Sequence, residues 1–470
     1  MRTPILLLIL LASAAAFACG SDDGDSGAGA GQGASPAAGQ QEKAEPGAEG
    51  AIWTRQFGSE RDDDARGLAV DAEGNVILAG TTTGTLPGQT SAGFADAWVT
   101  KHDSSGSLQW TRQFGSTEEA ADSGEDVATD SAGNIYVVGR TASSFQGTTN
   151  VGGFDAYLRK YGPDGSELST AQLGTEGRDQ AFAVAVDGQD SVYVLGETRG
   201  AFEGQTQAGK EDIFLVKVDS SGQQAWTTQF GTDVTDSAKG LAVTDDGHAY
   251  VVGSSLGSID PAVVKTANDN DGFIAKLDPS GSQLWVRQFG SGEGESETVY
   301  AVAVGPSGNV FLAGRVSGEL PEKSTWGGFD AFVTKYDADG NLEWTRQFGS
   351  DQGLLDSDSS YSLATDSDGN VYVSGITEGH LPGMRSYRAG DVWLRKYDPD
   401  GKELLTRQFG SDETESGQGI VVAPDGSVYV AGLTTGELPG LDEASLCRDK
   451  LRPETPCKLE DAFVRKYPGD

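Results

Sequence analysis

One acidic side chain recurs at an equivalent position in seven consecutive segments of this chain. The seven residues are Asp63, Asp122, Asp179, Asp236, Glu297, Asp358 and Glu415. Carboxylate oxygens are the ligands that Ca²⁺ prefers, so a ring of them would form a cation site. Aspartate also accepts backbone N–H groups in tight turns, and repetition in every segment favours this structural role. We therefore expect no resident cofactor or metal, and Ca²⁺ is the ion that such a ring would suit.

Residue types that support catalysis are sparse. The three histidines, His102, His248 and His380, occupy three different positions relative to the repeat, so they do not predict a metal triad. A formal net charge of −37 over 470 residues repels phosphate backbones and argues against nucleic-acid binding. The sequence predicts a protein that is not an enzyme and that does not bind nucleic acid.

The three cysteines are Cys19, Cys447 and Cys457. Cys447 and Cys457 lie close together in an irregular segment, which in an oxidising compartment predicts a disulfide; two free thiols are the alternative. The intervening segment carries Arg448, Lys450 and Arg452, which stand out on so acidic a chain. We expect this loop to be the first candidate for contact with a partner.

The elements that must position these residues follow a regular period. The phrase Gln-Phe-Gly, once Gln-Leu-Gly, returns every 57 to 61 residues, and its glycines are Gly58, Gly115, Gly174, Gly231, Gly290, Gly349 and Gly410. Glycine makes up 67 of the 470 residues, about twice its ordinary share. A period of this length with so much glycine indicates repeats made of strands and turns.

Each repeat contains four short apolar runs separated by turn residues. In the first repeat, strands A to D are predicted at 67–71, 76–80, 97–102 and 108–114. Residues 53–58 form a lone strand D, whereas the last repeat ends after its strand C at 462–467. The N-terminal strand therefore supplies the missing strand D. The prediction is an all-β, seven-bladed β-propeller over residues 51–470, with four antiparallel strands per blade and a closed ring.

Three phrases resemble the SBBP family, the bacterial β-propeller repeat. They are Gly-Asn-Val-Tyr-Val-Ser-Gly at 369–375, Phe-Asp-Ala-Phe-Val-Thr-Lys-Tyr-Asp at 329–337 and Trp-Thr-Arg-Gln-Phe-Gly-Ser at 344–350. The resemblance implies a seven-bladed propeller with strand A innermost. It implies no particular activity, because the family consists mainly of secreted or surface proteins without a defined one.

The N-terminal segment is predicted to direct export. Residues 1–18 combine Arg2, an apolar run from Ile5 to Leu11 and small residues, as in a signal peptide. Ala16-Phe17-Ala18-Cys19 resembles the lipobox of bacterial lipoproteins, which implies lipidation of Cys19 and attachment to the outer membrane, on its periplasmic side or at the cell surface. An ordinary secretory signal with an incidental Cys19 is the alternative. Residues 19–50, which lack aromatic side chains, are predicted to be a flexible tether.

Loop lengths differ between repeats at one end of the predicted blades. The A–B and C–D turns are constant in length, whereas the D–A and B–C connections vary, most of all in the last repeat. Variable loops on a rigid scaffold commonly bind ligands. We expect a monomeric binding or scaffold module for an envelope protein or glycan. A scaffold for outer-membrane assembly and a carbohydrate-active enzyme, with the acidic ring as general acid and base, remain alternatives.

Other recurring side chains predict contacts between blades. A glutamine precedes each strand D glycine, and five repeats carry a tryptophan in strand D: Trp53, Trp110, Trp226, Trp285 and Trp344. We expect the glutamines to hydrogen-bond between blades and the tryptophans to pack between them. An aspartate that opens each strand C and a lysine five residues later lie too far apart along the strand to pair with each other, and we expect pairing between blades.

Overall fold

The computed structural model describes residues 50–469 except 118–119, 266–268, 322, 324, 326, 351–355, 386, 388 and 442–458. These residues form seven four-stranded antiparallel sheets, each in the order A-B-C-D. The described residues contain strands and turns and no helix, hence none that could cross a membrane.

The first four sheets follow directly along the chain. Blade one contains β2 (Asp63–Val70), β3 (Val76–Thr82), β4 (Asp96–His102) and β5 (Leu108–Phe114). Blade two contains β6 (Ser123–Thr129), β7 (Ile135–Thr141), β8 (Asp155–Tyr161) and β9 (Glu167–Leu173). Blade three contains β10 (Asp179–Val186), β11 (Val192–Thr198), β12 (Asp212–Val218) and β13 (Gln224–Phe230). Blade four contains β14 (Asp236–Val243), β15 (Ala249–Ser255), β16 (Asp271–Leu277) and β17 (Gln283–Phe289).

The remaining sheets complete the ring. Blade five contains β18 (Glu297–Val304), β19 (Val310–Val316), β20 (Asp330–Tyr336) and β21 (Leu342–Phe348). Blade six contains β22 (Asp358–Thr365), β23 (Val371–Thr377), β24 (Asp391–Tyr397) and β25 (Glu403–Phe409). Blade seven contains β26 (Glu415–Val422), β27 (Val428–Thr434), β28 (Asp461–Tyr467) and the N-terminal β1 (Trp53–Phe57). The predicted fold and its closure are therefore confirmed.

Strand A is the innermost strand of every blade. It has one hydrogen-bonded neighbour, strand B, and its other edge faces the axis of the ring. Strands A of successive blades contact each other all the way round, from β2 and β6 to β26 and β2. Apolar side chains of strands A, B and C fill the space between neighbouring sheets, as in the cluster that joins Ala69, Ile77 and Val99 of blade one to Val127 and Tyr157 of blade two.

The strand D tryptophans pack between blades, as predicted. The ring of Trp110 lies against Gly165 in the C–D turn of blade two, where an added Cβ would approach the ring within 2.7 Å, and its Nε1 donates to the Pro163 carbonyl at 3.1 Å. Trp226 makes the equivalent contact with Pro279 at 3.1 Å. Each tryptophan thus ties its blade to the turn of the next one.

Candidate functional site in the central channel

The recurring acidic residues are buried where each strand A begins. Six of them are the first residue of a strand A, and Asp122 directly precedes β6. All seven are at most 1% exposed, so they are buried between blades and are not open to the channel. Each accepts hydrogen bonds from the preceding D–A loop; Asp179, for example, accepts the Thr175 N–H at 2.7 Å. This geometry corresponds to the structural role, because the carboxylates hold the loop.

Each of these carboxyl groups faces the strand C aspartate of the preceding blade across the strand D glycine. A Cβ built on Gly58 would lie 2.4 Å from Asp461 Oδ1 and 2.7 Å from Asp63 Oδ2. The glycine of the Gln-Phe-Gly phrase is therefore required by a close approach of two carboxyl groups. Within the described residues no group of three or more potential ligands has the arrangement of a metal site.

Burial raises the pKa of several of these carboxyl groups. It raises the pKa of Asp63, Asp358 and Asp461 to about 6 and that of Glu297 to about 7, and the neighbouring carboxyl adds a smaller rise for Asp63, Glu297 and Asp358. Hydrogen bonds from Ser59 and Thr82 oppose the rise for Asp63. Contact with water would stabilise the charged carboxylates, but these carboxyl groups are buried between blades and have little such contact.

Mild acid should therefore stabilise the propeller. Groups whose pKa is higher in the folded than in the unfolded state bind more protons when folded between about pH 4 and pH 7, so the free energy of unfolding rises as the pH falls through this window. We expect the melting temperature to be several degrees higher at about pH 5 than at about pH 7.5. Asp63→Asn, which mimics the protonated form, should flatten this dependence. Equal or lower stability at the acidic pH would contradict the prediction.

The strand D glutamines bond within a blade, so the expected inter-blade bonds are wrong for this residue. Gln113 Nε2 donates to Asp96 Oδ2 at 2.7 Å and to the Gly84 carbonyl at 2.9 Å, and its Oε1 accepts the Leu86 N–H at 2.8 Å. All seven glutamines donate to the strand C aspartate of their own sheet. The partners are in reach because strands C and D pair in antiparallel register, with Trp98 opposite Gln113. The glutamine therefore holds the B–C loop on its own blade.

The strand C lysines make contacts within their own blade and with the next blade. Lys101 forms an ion pair with Asp71 in the A–B turn of the same blade at 2.8 Å. Lys335, in contrast, donates to the carbonyl of Pro399 in the next blade at 2.9 Å. Strand C lysines therefore reach both their own blade and the next one, but these partners are a turn aspartate and a carbonyl and not the strand C aspartates that the prediction paired with them.

A β-bulge occurs at the same place in all seven A strands. The register with strand B shifts by one residue, between Ala65 and Gly67 in blade one and equivalently elsewhere. A bulge re-aims the extra side chain. Here the seven bulged residues line a single cavity in the central channel: Arg66, Glu125, Phe182, Lys239, Tyr300, Tyr361 and Gln418. We call these residues the bulge ring.

The bulge ring does not appear as a recurring feature of the sequence, because its residue type varies from blade to blade. Strand A was predicted to begin at Gly67, but β2 begins at Asp63. The bulge interrupts the alternation of apolar and polar residues by which strands are recognised. The sequence pattern therefore does not predict the first half of each strand A. The signal that was present is a fixed offset: each bulged residue follows the recurring acidic residue by three positions.

One side of the bulge ring is charged. Arg66 spans two blades, with nitrogen atoms 2.6 Å from Glu125 Oε2 and 2.7 Å from Asp64 Oδ2. Burial lowers the pKa of Arg66, but the two carboxylates outweigh this effect and raise it overall. Glu125 also accepts from Gln180 Nε2 at 3.3 Å, and Arg140 donates to Gln180 Oε1 at 3.0 Å. These groups form a hydrogen-bonded chain across blades one to three.

The other side of the bulge ring is aromatic. Tyr300 and Tyr361 meet edge to face with their ring centroids 5.1 Å apart. Between the two sides, Lys239 Nζ lies 4.4 Å from the centroid of Phe182 and 3.6 Å from Glu197 Oε1. The cavity measures about 370 Å³, which is within the range of small-molecule sites. Positive and negative side chains are nearly balanced here, in contrast to the rest of the chain.

Several predicted sites fall on residues outside those described. These are the signal peptide, Cys19, the tether up to residue 49, the cysteine pair Cys447 and Cys457, and the basic residues Arg448, Lys450 and Arg452. The predictions of lipidation, of a disulfide and of a partner loop at these positions stay predictions.

Comparison with known proteins agrees with the fold. The family model described as SBBP, Beta-propeller repeat, matches residues 52–87, 109–146 and 343–382, so SBBP repeats are present in three places. Each match runs from a strand D to the strand B of the following blade and so spans a junction between blades.

Proteins similar to the chain include two curated relatives and a polysaccharide lyase of known structure. Regulatory protein FlaEY of Caulobacter vibrioides is 28% identical over 58% of the chain and 29% of its own length. Uncharacterized WD repeat-containing protein L264 of Acanthamoeba polyphaga mimivirus is 22% identical over 36% of the chain and 15% of its own length. The chain thus spans less than a third of either relative. The structure of polysaccharide lyase Uly1 aligns with a TM-score of 0.50 at 11% identity, covering 90% of this chain and 100% of that one, which shows the fold alone.

Proposed function

We propose that this chain, with its SBBP repeats on a seven-bladed propeller, is a binding module of the bacterial cell envelope and not an enzyme. The observation that carries the proposal is the bulge ring. Framework positions of the repeat, such as the strand D glutamine and the strand C aspartate, keep their residue type in all seven blades. The seven side chains that face the channel are of six different types, so a symmetric frame presents an asymmetric surface. Residues that break a repeat at a cavity point to a ligand rather than to blade construction.

The ligand or partner would approach from the end that carries the D–A and B–C loops. Strand A runs from this end, and the bulged residue is the fourth residue of an eight-residue strand in six blades. At 3.3 Å per residue it lies about 10 Å below the start of the strand. The loops vary in length at the same end, so a partner that contacts them could place one group in the channel.

Substitution in the bulge ring should remove the partner without unfolding the propeller. We expect the double variant Lys239→Ala/Tyr361→Ala to retain at least about tenfold less of whatever envelope component co-purifies with the unmodified mature protein. Glu73→Ala, an exposed position in the A–B turn at the opposite end, is the matched control and should retain it fully. Quantitative pulldown from envelope extract, with circular dichroism of each variant, provides the measurement. Equal recovery by the double variant would refute a role for the channel.

Attachment to the membrane would come from Cys19. With three acyl chains the protein should partition into detergent and sediment with membranes, because even two lipid signals anchor a protein stably. We expect Cys19→Ser to shift it to the aqueous phase, whereas Cys447→Ser should leave partitioning unchanged. Recovery of the Cys19→Ser protein in the detergent phase would favour the alternative of an ordinary secretory signal with an incidental cysteine.

A further inference from the structure

A second cavity lies at the seam where the N-terminal strand closes the ring. It has a volume of about 340 Å³, opens to solvent, and is lined by β1 of blade seven and by strands C and D and the adjoining loops of blade one. Its walls include Phe57, Leu86, Pro87, Thr100, His102 and Leu108. We call this cavity the seam pocket; it is separate from the bulge ring and shares no lining residue with it.

The seam pocket exists because blade one has smaller side chains at two positions where other blades, called sister blades below, have large ones. In blades two, six and seven, an arginine and a tyrosine of strand C cover the strand D phenylalanine of the preceding blade. The arginine lies 4.1 Å from the phenylalanine centroid for Arg159 and Phe114, 3.9 Å for Arg395 and Phe348, and 4.3 Å for Arg465 and Phe409. The tyrosine centroids lie 6.0 to 6.5 Å from the same rings.

Blade one carries Thr100 and His102 at these two positions. Blades three and four have apolar residues at both, namely Val216, Val218, Ala275 and Leu277. Blade five has Thr334 and Tyr336, so only blade one has two polar side chains that are both smaller than the arginine and the tyrosine. These side chains lie over Phe57, whose ring centroid is 5.5 Å from that of His102. The volume that arginine and tyrosine occupy elsewhere is left open.

Two buried side chains of the seam pocket carry polar atoms that make no hydrogen bond of normal geometry. His102 is 4% exposed and Thr100 is 2% exposed, and neither imidazole nitrogen nor the threonine hydroxyl makes a hydrogen bond of normal geometry. Burial lowers the pKa of His102 to about 4, although the nearby Gly106 backbone opposes this. The ring is thus neutral near pH 7 and offers one donor and one acceptor. Leaving buried polar groups without hydrogen bonds costs free energy, so a molecule bound in the seam pocket that supplies these hydrogen bonds would be stabilised.

We propose that the seam pocket binds a small neutral aromatic molecule that carries a hydroxyl group, that is, a phenol. The apolar walls favour an uncharged body, and Phe57 presents a ring face that tyrosine covers in the sister blades. A phenol supplies the ring and the hydroxyl that the tyrosine supplies there, and the hydroxyl reaches the unsatisfied imidazole or threonine. This inference is independent of the proposed function, because it concerns a different cavity.

Titration calorimetry of the full mature protein with p-cresol tests the proposal. We expect saturable binding of one molecule per chain with a dissociation constant below about 1 mM. Toluene, which lacks the hydroxyl, should bind at least about tenfold more weakly, because the polar groups then stay unpaired. Absence of saturable p-cresol binding would overturn the proposal, and equal affinity for toluene would overturn the role of the hydroxyl.

A variant that gives blade one the two residues found in blade two provides the matched comparison. Thr100→Arg/His102→Tyr gives blade one the pair found in blade two, so it should fill the seam pocket, abolish p-cresol binding and leave the melting temperature equal or higher. A second variant, His102→Phe, keeps the ring and should weaken p-cresol at least about fivefold, so the test holds even where the double variant does not fold. Undiminished p-cresol binding by either variant would refute the site.

Discussion

Deletion of residues 50–58 is expected to destabilise the propeller strongly. These residues contain β1, which pairs with β28 from Trp53 opposite Lys466 to Phe57 opposite Ala462. The deletion removes a buried partner from Arg465, whose Nε donates to Thr54 Oγ1 at 2.8 Å although the arginine is fully buried. It also leaves the outer edge of blade seven unpaired. Because an open sheet edge and the loss of a hydrogen bond by a buried arginine are both costly, we expect the melting temperature to fall by more than about 10 °C or the protein to aggregate.

The size of this effect comes from the contacts of β1 with two blades. Trp53 Nε1 donates to the Ser104 carbonyl at 3.3 Å, and Arg55 Nε donates to the Gly106 carbonyl at 3.0 Å, both in the C–D turn of blade one. Phe57 packs edge to face on Trp98 with centroids 5.6 Å apart. The strand therefore holds blade seven to blade one as well as completing its own sheet.

Two chains provide the comparison for this prediction. A chain that lacks residues 1–49 but retains β1 should unfold at the same temperature as the mature protein, whereas the chain that begins at residue 59 should not. Differential scanning calorimetry measures both, and a synthetic peptide of residues 50–58 should recover part of the loss when added to the shorter chain. An unchanged transition in the chain that begins at residue 59 would show that the ring does not depend on its N-terminal strand.

Replacement of Gln408 by leucine is expected to cost about 3–5 kcal/mol of unfolding free energy. Gln408 is fully buried; its Nε2 donates to Asp391 Oδ2 at 2.7 Å and to the Gly379 carbonyl at 3.0 Å, and its Oε1 accepts the Leu381 N–H at 3.0 Å. Leucine has a similar volume but leaves all three of these groups without this partner. The carboxylate matters most, because a buried charge that loses a hydrogen bond pays the largest desolvation cost.

The matched control is Gln109→Leu in strand D of blade one. Gln109 is exposed, and its Nε2 donates to Asp103 Oδ2 at 3.3 Å. We expect this control to change the unfolding free energy by less than about 0.5 kcal/mol. Urea titrations with both variants at neutral pH provide the measurement. A midpoint for Gln408→Leu within error of that for Gln109→Leu would show that the Gln-Phe-Gly glutamine is dispensable.

Much of the fold follows from the sequence because each blade repeats the same short-range information. The turn residues, the alternation of strands B, C and D and the constant spacing each recur seven times, so an error in one repeat is corrected by the others. The lone strand D at residues 53–58 and the missing strand D at the C-terminus fit each other, which predicts the closure confirmed by the pairing of β1 with β28. Strand A was the weakest prediction, since its bulge removes the period of two on which strand recognition depends.

The candidate site was much harder to predict than the fold. Recurrence drew attention to the acidic residues, but the structure buries Asp63 and its six equivalents between blades as hydrogen-bond acceptors. The side chains that face the channel do not recur, and nothing in their types alone brings Arg66 near Glu125 or Tyr300 near Tyr361, which are separated by about sixty residues. These residues come together only because the folded ring places the A strands of successive blades side by side.

The sequence by itself determined the number of blades, the order of their strands and the closure of the ring, because these depend on local patterns and on chain length. Only the tertiary structure decided which side chains face the axis, which carboxyl groups meet across a glycine, and where Thr100 and His102 leave a cavity. The physical reason is that strand pairing is encoded by neighbours in sequence, whereas the channel and the seam are formed by packing between blades. Such packing depends on volume and on hydrogen-bond partners that come together only when the ring has closed.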